Sequence, residues 1–360
     1  MPNRERLVRT LMDLIRIDSP TGEEDEMDRE VSSRLQSLGF IVKHDSYGNV
    51  VARLDGEGEP LMLSAHLDTV EPGRGIKPQL NGDVMRSDGS TILGGDCKAG
   101  VAIVLEALTS VKESGEKHLP VEVVFSRAEE GGLNGAHNLD FSLVSATRGV
   151  VFDGEGQVNR VTVAAPSQNV VKAEIVGRAS HAGLEPEKGL SALVVAGHIL
   201  TRLPLGRLDE ESTANIGYLE GGLKRNIIPE RAFLDGEIRS RDRSKLEHYT
   251  DRFQQVFEEV QSMYPEAVLD LNITSSYQAY RVDAEHPTVT MLSRALAQIG
   301  LEPSLEGSGG GSDANVFFEH GIAAIPVGIG VRSFHTREET AMIPEVLQGA
   351  EMCQRLVTGV

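Results

Sequence analysis

The first hydrophobic pattern in the chain is helical. In MPNRERLVRTLMDLIRIDS, Leu7, Leu11, Leu14 and Ile15 recur every three or four residues between charged positions, the stripe of an amphipathic helix. Ser19-Pro20-Thr21-Gly22-Glu23-Glu24 reads as a turn and helix cap, with Thr21 and Glu24 in capping-box spacing. The helix it opens is predicted to run to about Leu38 and stop at Gly39. The period then shortens. FIVKHD, NVVARL, PLMLSAHLD, VEVVFSRAEE and GVVFDG are predicted strands, and VAIVLEALTSV is a predicted buried helix. Alternation of the two patterns over about the first 160 residues predicts an α/β sheet.

From about Pro166 the order changes. Strand NVVKAEIVG, helix GLSALVVAGHILTRL, strands TANIGYLEGG and RAFLDGEIRS, helix SKLEHYTDRFQQVFEEVQSMY and strand AVLDLNITSSY follow one another. This is a βαββαβ unit, a pattern that can stand alone as a small α+β domain. The earlier style returns near Ala279, with a helix near 286–299, the glycine-rich EGSGGGSDAN, a short strand AAIPVG and a closing helix after Ile343. The predicted architecture is a discontinuous α/β domain (1–165 and 279–360) interrupted by an inserted α+β domain (166–278). Neither repeats nor low-complexity tracts interrupt this order.

Composition narrows the function. The 360 residues carry a formal charge of −19, 4% aromatic residues and no Trp, a poor match to nucleic acid or an anionic membrane. Cys97 and Cys353 lie far apart and form neither a disulfide framework nor a CxxC unit, which suits a reducing compartment. The charged N-terminal helix is unlike a signal peptide, and ALVVAGHIL at 192–200 is too short to span a bilayer. A cytoplasmic protein is the expectation.

Candidate chemistry gathers at the predicted strand ends, where open α/β sheets bind ligands. PLMLSAHLDTV ends in His66 and Asp68, VEVVFSRAEE in Glu129 and Glu130, and GVVFDG in Asp153. Asp96 lies in the turn before the buried helix, and RSFHTREET supplies His335. Taken singly, each has an ordinary reading: a strand-end Asp caps a turn, and adjacent glutamates are solvated. Together, several carboxylates in one crevice would repel one another and raise their pKa values. A pair of divalent cations removes that repulsion, since three carboxylates and one hydroxide balance two dications. Nitrogen and oxygen donors suit Zn²⁺ or a similar ion. Two such ions about 3.5–4 Å apart are a known device for hydrolysis.

HLDTV, STILGGDCKAG, AEEGG, VFDGEG, ASHAG and SFHTREE occur in the order and spacing of the peptidase T-like branch of the two-zinc exopeptidases. That superfamily also includes aminoacylase, glutamate carboxypeptidase and succinyl-diaminopimelate desuccinylase. The resemblance covers nearly the whole chain, including APSQNVVKAEIVGRASHAGLEPEKG in the inserted domain. It implies His66 and Asp153 on one metal, Glu130 and His335 on the other, and Asp96 bridging them. It implies that Asp68 accepts a hydrogen bond from the second nitrogen of His66. Glu129 would be the general base, taking a proton from the attacking water and returning it to the leaving amine. His181 resembles the histidine that polarises the scissile carbonyl, often across a dimer interface, and Asn226 and Arg239 match positions that hold the substrate carboxylate. GSGGGSD at 307–313 could present backbone N–H groups to the same carboxylate, a flexible linker being the competing reading. His44, His118, His137, His198, His248, His286 and His320 match no motif and are expected to be structural or surface residues.

The implied protein is a homodimer, paired through its inserted domain, that releases N-terminal residues from short peptides such as tripeptides. Its rivals are the same chemistry on N-acyl amino acids or on a peptide carboxyl end, and a non-catalytic peptide-binding relative. Nucleotide binding fits poorly, because neither glycine-rich loop carries GxxxxGK[ST] or GxGxxG. GGDCKAG departs from the family at Cys97, where Asp or Asn is usual. With no base of its own, Cys97 reads as a bystander to Asp96. The resemblance also implies a cis peptide at Asp96–Cys97.

Overall fold

The helix that the sequence buries on every side lies at the centre of the first of two compact units. In the computed structural model, which describes residues 1–359, this unit comprises Met1–Val163, Arg281–Gly307 and the chain from Ser312 on. Its sheet places Val121–Ser126, Leu61–His66, Arg148–Gly154 and Ala323–Gly328 side by side and parallel. Val50–Leu54 and Ile41–His44 extend one edge antiparallel. Leu61–His66 and Val121–Ser126 are buried at every position, as expected for parallel strands covered on both faces. Parallel order brings their carboxyl ends to one edge, with His66 opposite Ser126.

Helix Gly95–Ser114 is kinked at its start, where Asp96 and Cys97 leave helical angles. The Asp96–Cys97 peptide is cis. A Cβ on Gly100 would lie 2.0 Å from the Phe152 carbonyl oxygen, so glycine lets the helix press against the strand that carries Asp153. Helix Arg4–Arg16 buries Leu7, Leu11, Leu14 and Ile15 as its stripe predicts. The predicted capping box is not formed. Helix Asp25–Leu38 begins without a side-chain cap, because Thr21 donates to Asp68 and Glu24 accepts the amides of Gly22 and Ala128. Both side chains are drawn toward the strand-end loops instead.

A small second sheet of this unit, Gln79–Asn81, Val84–Arg86, Val331–Arg332 and Thr340–Met342, has no counterpart in the sequence reading. Strands of two or three residues are too short to show a period. Val331–Arg332 pairs with Thr340–Met342, and the loop between them holds His335.

The second unit is Ala164–Tyr280 with Ser308–Gly311. Its antiparallel sheet runs Gly206–Arg207, Ser212–Gly221, Arg231–Ser240, Ser167–Val176 and Val268–Tyr277. Helices Ala192–Leu200 and Arg243–Met263 pack on it, with Val195, Ile199, Phe253, Val256 and Val260 in the core. The glycine-rich residues 308–311 belong here because Ser308 donates to the Ala164 carbonyl and Gly311 to the Tyr277 hydroxyl.

Candidate active site

Backbone order delivers the acidic cluster before any side chain is considered. His66 ends one parallel strand, Asp153 lies near the end of its neighbour, and Asp96 reaches in from the kinked helix start. His66 Nε2 lies 3.2 Å from Asp96 Oδ1 and 3.4 Å from Asp153 Oδ1. The other Asp96 oxygen lies 3.2 Å from His335 Nε2, which is 2.8 Å from Glu130 Oε1. One ligand atom each from His66, Asp96, Cys97 and Asp153, and one each from Asp96, Glu130 and His335, fall within 4.8 Å of one another. Asp96 is common to these two groups, and His66, Glu129 and Glu130 form a third.

Asp68 is buried behind them. His66 Nδ1 is 2.9 Å from the Asp68 main-chain carbonyl and 3.4 Å from its carboxylate, so the carbonyl is the nearer acceptor. The carboxylate also accepts the amides of Glu129 at 2.9 Å and Glu130 at 3.2 Å, and the Thr21 hydroxyl at 2.7 Å. Burial opposes its charge, but these donors and His66 keep its pKa below the usual range. Asp68 therefore shapes the turn of both glutamates. Upstream in that turn Ala128 adopts φ 50°, its amide donating to the buried Glu24, which also pairs with Arg127.

The electrostatics are those of buried carboxylates crowded beside two imidazoles. Desolvation, with the nearby charges of Asp96 and Asp313, pushes Asp153 up to about 7. Desolvation raises Glu129 well above its ordinary value, helped by Asp153, Asp313 and Glu130. Asp96 is instead held at about 2: burial opposes its charge, but hydrogen bonds from His335 and His66 outweigh it. His335 rises to about 10 through its bonds to Asp96 and Glu130. A chain that packs Asp96, Glu129, Glu130 and Asp153 beside imidazole nitrogens fits divalent metal ions, whose charge removes the repulsion. Cys97 stays a thiol. It donates to the Phe152 carbonyl, and burial raises its pKa well above the ordinary value.

The remaining predicted residues lie in the second unit. His181 is exposed, with Nδ1 accepting the amides of Gly183 and Leu184. The Asn226 carbonyl accepts the amide of Ala182, and Arg239 pairs with Glu237. Sequence reading missed two buried carboxylates of the first unit. Asp313 accepts from the Ser126 hydroxyl, its other oxygen has no partner, and burial pushes it to about 6. Glu339 is buried against the loop that bears Asp96. The signal for both was their place in motifs already singled out, GSGGGSD and SFHTREE.

Fold and site together define a metal-dependent hydrolase of the α/β exopeptidase type. The model of peptidase family M20/M25/M40 matches residues 62–359, and the chain belongs to that family. It is 37% identical over 368 residues to the Bacillus subtilis (strain 168) protein YqjE, covering 99% of each chain. It is similar to the solved aminopeptidase PepT of Bacillus cereus ATCC 10987, with 36% identity, TM-score 0.88, and 99% of this chain and 98% of that one covered. A tripeptidase from Staphylococcus aureus subsp. aureus Mu50 matches with 32% identity, TM-score 0.93 and the same coverage.

Proposed function

We propose that this protein is a dinuclear metallo-aminopeptidase that cleaves the N-terminal residue from short peptides, tripeptides in particular. The observation that carries the reading is the pair of ligand clusters sharing Asp96, with Glu129 beside them on a turn held by Asp68. Likeness to an aminopeptidase and a tripeptidase, each over nearly the whole chain, supports the substrate class.

In this reading His66 and Asp153 would hold one ion, Glu130 and His335 the second, and Asp96 would serve both. When bound, such ions polarise the scissile carbonyl and make water a stronger nucleophile near neutral pH. The chain's own part is proton transfer and positioning. Glu129 takes a proton from the attacking water and delivers it to the amine that leaves. Asp68 supports this by fixing the Glu129 amide, and with it the backbone from which the carboxylate projects. It also shares His66 Nδ1 with its own carbonyl, which leaves Nε2 as the nitrogen facing Asp96 and Asp153. His181, Asn226 and Arg239 serve the substrate's carbonyl and carboxylate, and the second unit pairs two copies of the chain. Zinc suits the donor set. Among the described residues no helix is long and apolar enough to cross a membrane, which accords with a cytoplasmic enzyme.

A panel of tripeptides, N-acyl amino acids and carboxyl-terminal substrates tests the proposal. Release of the N-terminal residue, lost on chelation and restored by added metal, is the expected result. Preference for acyl amino acids or for the carboxyl end would replace it. Glu129→Gln is expected to lower kcat by about 10²–10⁴-fold with metal content unchanged. Activity at the wild-type level in that variant would remove Glu129 from its role.

A further inference from the structure

Asp96 hangs from a turn whose shape is not helical. Gly94 is left-handed at φ 70°, and Asp96 and Cys97 depart from helix angles. Such a turn leaves amides without intrahelical partners, and three of them point at one side chain. Leu93 and Gly94 donate to Glu339 Oε2 at 2.9 and 2.8 Å, and Asp96 donates to Oε1 at 2.9 Å. Glu339 is 1% exposed. A Cβ on Gly95 would stand 3.2 Å from Oε1, so bare backbone is what the carboxylate meets. On Gly94 a Cβ would lie 3.9 Å from Nζ of the buried Lys98, whose ammonium group donates to the Ile17 carbonyl.

Glu339 also closes the loop that presents His335. The Glu339 amide donates to the Thr336 carbonyl, and the Thr336 hydroxyl donates to the Ser333 carbonyl. Ser333 and His335 both hold positive φ, 59° and 62°. One short segment therefore carries His335 and, four residues later, the carboxylate that grips the Asp96 turn.

We propose that Glu339 is the positioning residue of the metal centre, setting where Asp96 and His335 stand relative to each other before any ion binds. The inference rests on the metal-site reading given above. Both Glu339 oxygens accept hydrogen bonds, so the amide of Gln would set a donor against at least one backbone N–H. Removing an acceptor from three amides in a buried turn lets the turn reshape, and the ligand geometry goes with it.

Zn²⁺ titrated into chelator-stripped protein, followed by calorimetry, provides the test. Wild type is expected to bind two equivalents, and Glu339→Gln to bind at least one of them tenfold or more weakly. Glu122 supplies the control, as a buried carboxylate that accepts the amides of Ser145 and Ala146. Glu122→Gln should lower the melting temperature yet leave both Zn²⁺ affinities within twofold. Equal affinities in the two variants would overturn the role of Glu339 alone. A wild type that binds fewer than two equivalents would overturn the metal-site reading itself.

Hydrogen exchange over residues 91–97 of metal-free wild type gives the answer even where Glu339→Gln fails to fold. The amides of Leu93, Gly94 and Asp96 are expected to be protected before metal is added. Protection that arrives only with Zn²⁺ would show that the ion, and not Glu339, shapes the turn.

Discussion

The two halves of the site are built from different materials. His66 is 2% exposed and ends a strand hydrogen-bonded on both sides, and Asp153 lies near the end of its neighbour in the same sheet. The His335 side chain is 52% exposed and stands on a loop between two-to-three-residue strands, with a backbone angle that side chains disfavour. The first half is positioned by the sheet itself. In the second, hydrogen bonds to individual buried carboxylates do the positioning: Asp68 for the Glu129–Glu130 turn and Glu339 for the turn that sets Asp96 against His335. A rigid sheet end can carry ligands unaided, whereas a loop needs an anchor at each turn.

The largest test of that contrast is His66→Ala. It leaves Asp96 and Asp153 buried without their common partner, and breaking a buried pair costs about 3–5 kcal/mol. Chemical denaturation of the metal-free variant should show the loss. Gly100→Ala comes next. Its Cβ would overlap the Phe152 carbonyl, and overpacking of that kind costs about 1–3 kcal/mol. The substitution should also weaken metal binding, because the same helix start carries Asp96.

Metal-free wild type should lose stability as pH rises from about 4 to 7. Asp153 and Glu339 are raised to about 7 and Asp313 to about 6, mainly by burial. Unfolding lets these groups ionise at their ordinary values, so in this window the folded state binds more protons and a rise in pH favours unfolding. Thermal melts across the window should show this fall, and saturating divalent metal should flatten it. The smallest stability effect belongs to His335→Ala. His335 is half-exposed and Asp96 keeps its contact with His66, so the melting point should fall less than in His66→Ala while one metal equivalent and the activity are lost. A large stability loss there would erase the contrast between the halves.

Legibility in the sequence follows the same division. His66, Asp153 and the Glu129–Glu130 pair could be located because each ends a run of apolar residues whose period marks a strand. Thr21 and Glu24 had the spacing of a capping box, yet they bond to Asp68 and to the Ala128 amide. Local spacing cannot know that a distant strand end offers better partners. Glu339 lay in plain view in SFHTREET, but its function depends on amides some 245 positions away, Gly94 among them.

By itself the sequence determined the order of the longer elements, the buried central helix and the residue types that meet at the strand ends. These depend on local periodicity and on chemistry that only a few side chains possess. Tertiary structure alone decided that Asp68 would hold the glutamate turn by its amides and that the Cys97 thiol would donate a hydrogen bond to the Phe152 carbonyl. It also decided that one late carboxylate would organise an early loop. Those outcomes turn on which buried backbone groups lack partners, and that is settled only when the chain closes on itself.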